Sequence, residues 1–439
     1  MTSLQDASPN LGRLGRELRQ VCAQATQPEE IAAALEATGL NDDLVREQYG
    51  LPDVFACAEA LYSHLPYTAP AVRSVTVARP MWRLAPRGVL YALPGAALAV
   101  ASPLLTGAPA AQEALMASVI FGWGWGQGLA SIGYRRTGEP LRRFLWQATL
   151  LTLPVAAAVG AGTALLAHQP VLAAALVAGV AGTSFAGFAS LLILGQLPLA
   201  AVAYLPSVAY LLLGQHDPVG GWVAALTAAL LPLVALAGQP RPPAGLQLPD
   251  PAWHATLAHA ISGWTCALFV TGVFSVALHR LGALAILPVI VSVGAMEVLS
   301  VQFYGQLRSL AARHGQMLSL AGHALRTLGV ALAVYLGVLL ALLGAFLLIT
   351  RPEAWADPRA TVTALLPLLV YGCALLLGTV VSNVGQPWLS GMAWLLGSGA
   401  ALALLPLAPS WAPLLGALLV LICMSYGVVR ALLVPTTYH

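Results

Sequence analysis

Two hydrophobic patterns divide the chain. Over residues 1–70, apolar side chains recur at helical spacing among charged ones, with Leu11, Leu14, Leu18 and Val21 as the first stripe. Thr26, Pro28 and Glu29 read as the cap and first turn of a helix that ends near Gly39, and Asn41 as the cap of the next. After Pro52, the residues Val54, Phe55, Ala58, Leu61 and Tyr62 mark a further apolar face. The pattern predicts a small cytosolic helical module over 1–70, with a core modest enough to favour docking on something larger.

Past a basic juxtamembrane linker at 71–86, the stripes give way to unbroken apolar runs of about 20 residues, the length that crosses about 30 Å of hydrocarbon. Twelve are expected, over 87–106, 112–133, 144–167, 171–194, 198–214, 219–238, 254–278, 282–303, 328–349, 361–382, 388–408 and 411–433. The Pro-rich stretch around 239–253 is the longest polar break and separates a six-helix lobe at 87–238 from a second at 254–439. The expected fold is therefore an all-α, polytopic membrane protein of two pseudo-symmetric lobes with a helical N-terminal module.

Composition agrees. The chain is 59% hydrophobic and 8% charged, against about 25% charged in a soluble domain, which excludes one. All 20 basic residues are arginine, and residues 1–70 hold four of them against ten acids. The formal net charge of +3 thus averages an acidic module and a basic membrane part, and nothing points to nucleic acid. Basic residues in short loops stay inside. With both termini cytosolic, Arg73, Arg79, Arg83, Arg87, Arg135, Arg136, Arg142, Arg143, Arg241, Arg308, Arg313, Arg326 and Arg430 all fall on that side, leaving Arg280, Arg351 and Arg359 outside. The expected place is the plasma (inner) membrane of a bacterium, with a retained N-terminus that lacks a signal-peptide pattern. Five scattered cysteines offer neither a disulfide frame nor a zinc site.

The two halves repeat. Gly124, Gln127, Leu129 and Tyr134 have the spacing of Gly294, Glu297, Leu299 and Tyr304, up to one residue, and each tyrosine precedes a basic loop. Gly195 and Gln196 before Pro198 match Gly385 and Gln386 before Pro387. Such repeats in one orientation belong to transporters that rock about a central site. With its Gly133–Arg143 connector after the second span and these paired turns, the sequence resembles the multidrug/oligosaccharidyl-lipid/polysaccharide (MOP) flippase superfamily over residues 80–434. The resemblance implies alternating access and a cavity lined by the first and seventh spans.

Glu297 is the one acid well inside an expected span, which makes proton or cation coupling the sharp reading and a packing carboxylate the plain one. Gln127, at the matching position, reads as a substrate contact or a bond between helices. Trp123 and Trp125 lie in the run FGWGWGQG, where flat indoles could stack on sugar rings or simply pack. His259, Ser262, Trp264 and Thr265 make the start of the seventh span polar, and Tyr91 is the counterpart in the first; all are candidates for the substrate cavity. His254 and His259, five apart, do not share the face a metal needs. Residues 305–327 read as an amphipathic loop helix on the cytosolic leaflet. No nucleophile with its base, phosphate loop, metal set or cofactor site is found, so no enzyme activity is expected.

These readings converge on a flippase or exporter for polysaccharide export, moving a glycan or lipid-linked glycan outward, with the bilayer as its solvent. Residues 1–70 would dock a basic glycosyltransferase or assembly partner. The alternatives are an ion-coupled multidrug exporter of the same fold, the twelve-span major facilitator fold, and a membrane scaffold for polysaccharide synthesis.

Overall fold

The computed structural model describes residues 9–18, 21–22, 25, 27–64, 87–94, 109–213, 217–238, 253–273, 287–311, 317–350 and 358–433. Among these residues the chain is helical, with no strand. In order the helices are α1 (Pro9–Glu17), α2 (Pro28–Ala37), α3 (Asp42–Tyr49), α4 (Val54–His64), α5 (Arg87–Tyr91), α6 (Pro109–Gly133), α7 (Gly138–Leu166), α8 (Val171–Ile193), α9 (Leu197–Leu212), α10 (Pro218–Gly238), α11 (Trp253–Leu268), α12 (Leu287–Ala311), α13 (Met317–Thr350), α14 (Pro358–Asn383), α15 (Pro387–Leu404) and α16 (Ala412–Leu432). A π-helical turn, Phe269–Val273, prolongs α11.

Eight of the described helices are long and apolar enough to cross a membrane: α7, α8, α10, α12, α13, α14, α15 and α16. Pro154, Pro206, Pro232 and Pro367 lie inside α7, α9, α10 and α14, as helices packed on neighbours in lipid tolerate. Residues 95–106 of the first expected span and 274–278 of the seventh fall outside the described residues. One expectation is corrected: 305–327 does not form a separate surface helix. Residues 305–311 continue α12, and 317–327 are the first turns of α13, a 34-residue helix. At about 1.5 Å per residue α13 outreaches the bilayer core, so its polar first turns are the end of a spanning helix.

The chain forms two compact units, one of residues 1–80, 301–330 and 430–439, the other of 81–300 and 331–429. In the first, α1 to α4 enclose one apolar cluster that includes Leu11, Ile31, Leu35, Val45, Cys57 and Leu61. Its helix ends are closed locally: Asn41 Oδ1 accepts from Leu44 N at 2.9 Å, and Asp53 Oδ1 from Ala56 N at 2.7 Å. The cap of α2 is Gln27, whose side chain makes no capping bond; Thr26, expected in that role, lies outside the described residues.

In the second unit α6, α7, α8 and α10 pack together, α9 lies on α10, and α11 lies between α6 and α15. The sequence repeat reappears as local geometry. Gly195 and Gly385 both take positive φ, 73° and 86°. Behind each, the following glutamine's backbone amide donates to the carbonyl five residues back, Gln196 N to Leu191 O at 2.8 Å and Gln386 N to Val381 O at 3.1 Å, so α8 and α14 end in the same reversal. Nine residues past each glycine stands a buried aromatic, Tyr204 or Trp394. Tyr204 packs edge-on against Phe188 of α8 at 5.7 Å, and Trp394 lies 5.3 Å from Tyr371 of α14.

Candidate functional site

Four helices meet in two crossings, α5 with α12 and α6 with α11. A Cβ on Gly88 would collide with the Val291 carbonyl oxygen and stand 2.8 Å from the Gly294 amide nitrogen, so α5 and α12 touch backbone to backbone. One turn along α5, the Tyr91 hydroxyl donates to Glu297 Oε1. Side chains on a helix lean toward their own N-terminus, so the carboxylate, one turn past the glycine contact on α12, reaches back toward the crossing where the phenol lies. Tyr91 also sets its edge against Phe188 at 5.9 Å. Glu297 is half-buried.

At the other crossing, a Cβ on Gly263 would stand 2.7 Å from Gly124 Cα, and one on Gly124 would overlap the Trp264 ring. Trp264 Nε1 donates to the Phe121 carbonyl at 3.2 Å. Gly128 continues the contact toward Ala260 and Thr256. Gly124 and Gly294, matched in the sequence repeat, thus occupy matched places, each pressing on a glycine of the other half.

The candidate residues separate accordingly. Tyr91 and Glu297 are joined, although they are 206 positions apart. Gln127 is exposed, and its stem lies against Gly263. Trp125 stacks on Phe121 at 5.4 Å, and its indole N–H is buried with no hydrogen-bond partner among the described residues. Three residues of α11 serve helix contacts: Trp264 as above, Ser262 through a 2.9 Å bond to Ser390 Oγ of α15, and Thr265 through a bond back to Ile261 O at 2.9 Å. His259 is half-buried on the same helix. Among the described residues no group of three potential metal ligands gathers. Gly88 does not stand out in the sequence; Phe121 opens the FGWGWGQG run, and Gly263 stands beside Trp264 in a polar helix start.

No family model and no curated protein matches this sequence. The fold is nevertheless that of known transporters. A MATE proline-to-alanine mutant superposes with a TM-score of 0.51 at 14% identity, over 80% of this chain and 94% of that one. MATE in complex with Br-NRF superposes at 0.50, with 14% identity over the same shares. A MOP superfamily transporter from Pyrococcus furiosus, described as having reversed binding-pocket polarity, gives 0.49 at 14% identity over 80% and 94%.

Proposed function

We propose that the chain is an ion-coupled membrane transporter of the MOP superfamily that exports a neutral glycan, free or lipid-linked, by alternating access between two six-helix lobes. The observation that carries this reading is the Tyr91–Glu297 bond, a carboxylate held by a phenol where α5 of one half crosses α12 of the other, within a MATE-like fold. A carboxylate at such depth is costly unless it has work to do. Coupling supplies that work: a proton or cation that occupies Glu297 changes its bond to Tyr91 and hence the contact between the halves. From Phe121 to Gly133 the polar side chains of α6 are neutral, among them the exposed Gln127 amide and the indoles of Trp123 and Trp125. They suit hydroxyl-rich ligands better than strongly charged ones. The membrane is the plasma membrane, both termini are cytosolic, and the acidic residues 1–70 dock a basic assembly partner.

A deletion strain tests the reading. Loss of exported glycan with accumulation of lipid-linked intermediates, restored by the wild-type gene, supports it; failure of Glu297→Gln to restore export supports coupling. Unchanged glycans together with lost dye efflux would replace it by multidrug export. Unchanged glycans and unchanged efflux would favour the scaffold.

A further inference from the structure

We propose that the outward face of α7 holds one anionic phospholipid of the surrounding bilayer, its phosphate gripped by Arg143, Trp146 and Gln147. The inference goes beyond the export reading and needs only that α7, long and apolar enough to do so, crosses the membrane.

Arginines crowd the start of α7, but they are not equivalent. Arg142 takes both oxygens of Glu139, Nε donating to Oε2 at 3.0 Å and Nη2 to Oε1 at 2.7 Å, and it reaches the Ala237 carbonyl at 3.2 Å. Arg136 lies 4.5 Å over the Phe144 ring. Arg143 stands four residues past Glu139, the spacing at which an acid and a base pair on a helix surface, yet that carboxylate is already engaged by Arg142. Arg143 is exposed and has neither ion pair nor hydrogen bond among the described residues.

One turn on, Trp146 and Gln147 are exposed as well, and neither side chain has a hydrogen-bond partner among the described residues. Three and four positions from Arg143, they share its face. Helix side chains lean toward the N-terminus, so the indole and the amide reach back toward the guanidinium. Past them the face turns apolar, with Leu150, Leu151 and Leu153 exposed, while Leu145, Thr149 and Ala156 on the opposite side are buried. Leu150 lies about 10 Å along the axis from Arg143. The order along the face is a cation with two donors, then hydrocarbon, which is the order of a phospholipid's phosphate and acyl chains.

Charge decides which lipid. Donors facing hydrocarbon find little water, so an acceptor brought by the lipid stabilises them, and a phosphodiester offers two free oxygens to the guanidinium fork. Phosphatidylcholine carries its own cation beside that phosphate. Phosphatidylglycerol does not, and so it neutralises Arg143. The second half does not repeat the arrangement: its exposed Arg326, in the first turns of α13, is followed at the same offsets by Gly329 and Val330, which have no side-chain donor. One lipid, on one half, is expected.

Native mass spectrometry of the purified full chain, in micelles with equal amounts of phosphatidylglycerol and phosphatidylcholine, tests this. The parent should retain one phosphatidylglycerol in preference to phosphatidylcholine. Arg143→Gln should bind it about tenfold more weakly, Trp146→Phe and Gln147→Leu should weaken it less, and Arg326→Gln should match the parent. Melting midpoints in phosphatidylcholine alone check that each variant is folded. Should Arg143→Gln fail to fold, Arg143→Lys, which keeps the charge but not the fork, carries the reading with a smaller loss. Equal retention by the parent and the Arg143 variants would overturn the proposal, as would an equal loss in Arg326→Gln, which would make the effect one of net charge. Displacement of the lipid by inorganic phosphate would overturn it too, leaving a site for free anions. A chain that exports dye instead of glycan would still bind the lipid, so the two readings fail separately.

Discussion

The Tyr91 hydroxyl donates to the Glu297 carboxylate, joining the first described helix of the second compact unit to a helix of the opposite half. A hydrogen bond to a charged group contributes about 1.5–3 kcal/mol, enough to bias a two-state equilibrium by roughly 10- to 150-fold. Glu297→Gln keeps the shape and an acceptor but removes the carboxylate, so the proposed coupling predicts that ion-driven transport in reconstituted vesicles falls to background while folding persists. Tyr91→Phe leaves the carboxylate able to bind its ion but no longer latched. Coupling then loosens: transport persists, with an ion-to-substrate ratio that rises. Equal, complete losses in both variants would assign the pair a structural role.

The turns at Gly195 and Gly385 give a second test, because they carry the duplication in backbone form. Both residues sit at φ values that L side chains avoid, 73° and 86°, with nothing within 4 Å of where a methyl would stand, so strain alone opposes a substitution. Left-handed backbone costs a non-glycine residue about 1–2 kcal/mol. Gly195→Ala and Gly385→Ala should each lower thermal stability by a similar amount, read as the midpoint of aggregation on heating. His168 already holds φ 55° where α7 gives way to α8, so His168→Gly should raise that midpoint slightly. A large effect at one turn glycine and none at the other would mean that the two reversals are not equivalent.

How far the sequence carried the fold depended on what kind of signal each part sends. Apolar run lengths placed the ends of α8, α10, α14 and α16 within a few residues, because burial in lipid leaves an unbroken hydrophobic record. The Gly124/Gly294 match was legible as spacing, and so was the unusual acid at Glu297. The partner of that acid was not: Tyr91 stood out as a candidate for the substrate cavity, and its contact with Glu297 across 206 positions leaves no periodic trace. Polarity on α11 pointed to a cavity, but Ser262, Trp264 and Thr265 spend their donors on Ser390, Phe121 and their own helix; in lipid a polar side chain bonds whatever acceptor lies nearest. Residues 305–327 looked amphipathic for a related reason: the ends of long spanning helices are wet on one side.

The α1–α4 core supplies a prediction outside the membrane. Burial pushes the Cys57 thiol up to about 11 and raises that of Cys22 from its ordinary value. Because the thiolate is the reactive form, alkylation of both by iodoacetamide at pH 8 should be slow in the folded chain and fast in denaturant, as read by peptide mass mapping. The linkage has a definite sign. A folded value raised above the unfolded one means that the stabilisation is whole below about pH 9 and is lost as pH rises toward 11. Alkylation should therefore accelerate in that window faster than the thiolate fraction of a free cysteine does. Rapid reaction at pH 8 would show that the core opens readily.

Topology offers the last prediction, and its argument is the distribution of arginine. Arg135, Arg136, Arg142 and Arg143 crowd the connector between α6 and α7, where Arg142 grips Glu139 at 2.7 Å and reaches the Ala237 carbonyl at the end of α10. The turn between α9 and α10 holds no arginine; there Asp217 Oδ2 accepts from Gly220 N at 2.6 Å to start α10. Loops rich in arginine remain on the cytosolic side during insertion. Cysteines at the exposed positions Tyr134 and Leu213 should then label from opposite faces. In intact cells an impermeant maleimide should modify Leu213→Cys and spare Tyr134→Cys, and inverted vesicles should give the reverse. The opposite pattern would turn the whole bundle over, making Tyr134 and the basic connector extracellular and reversing the direction of export.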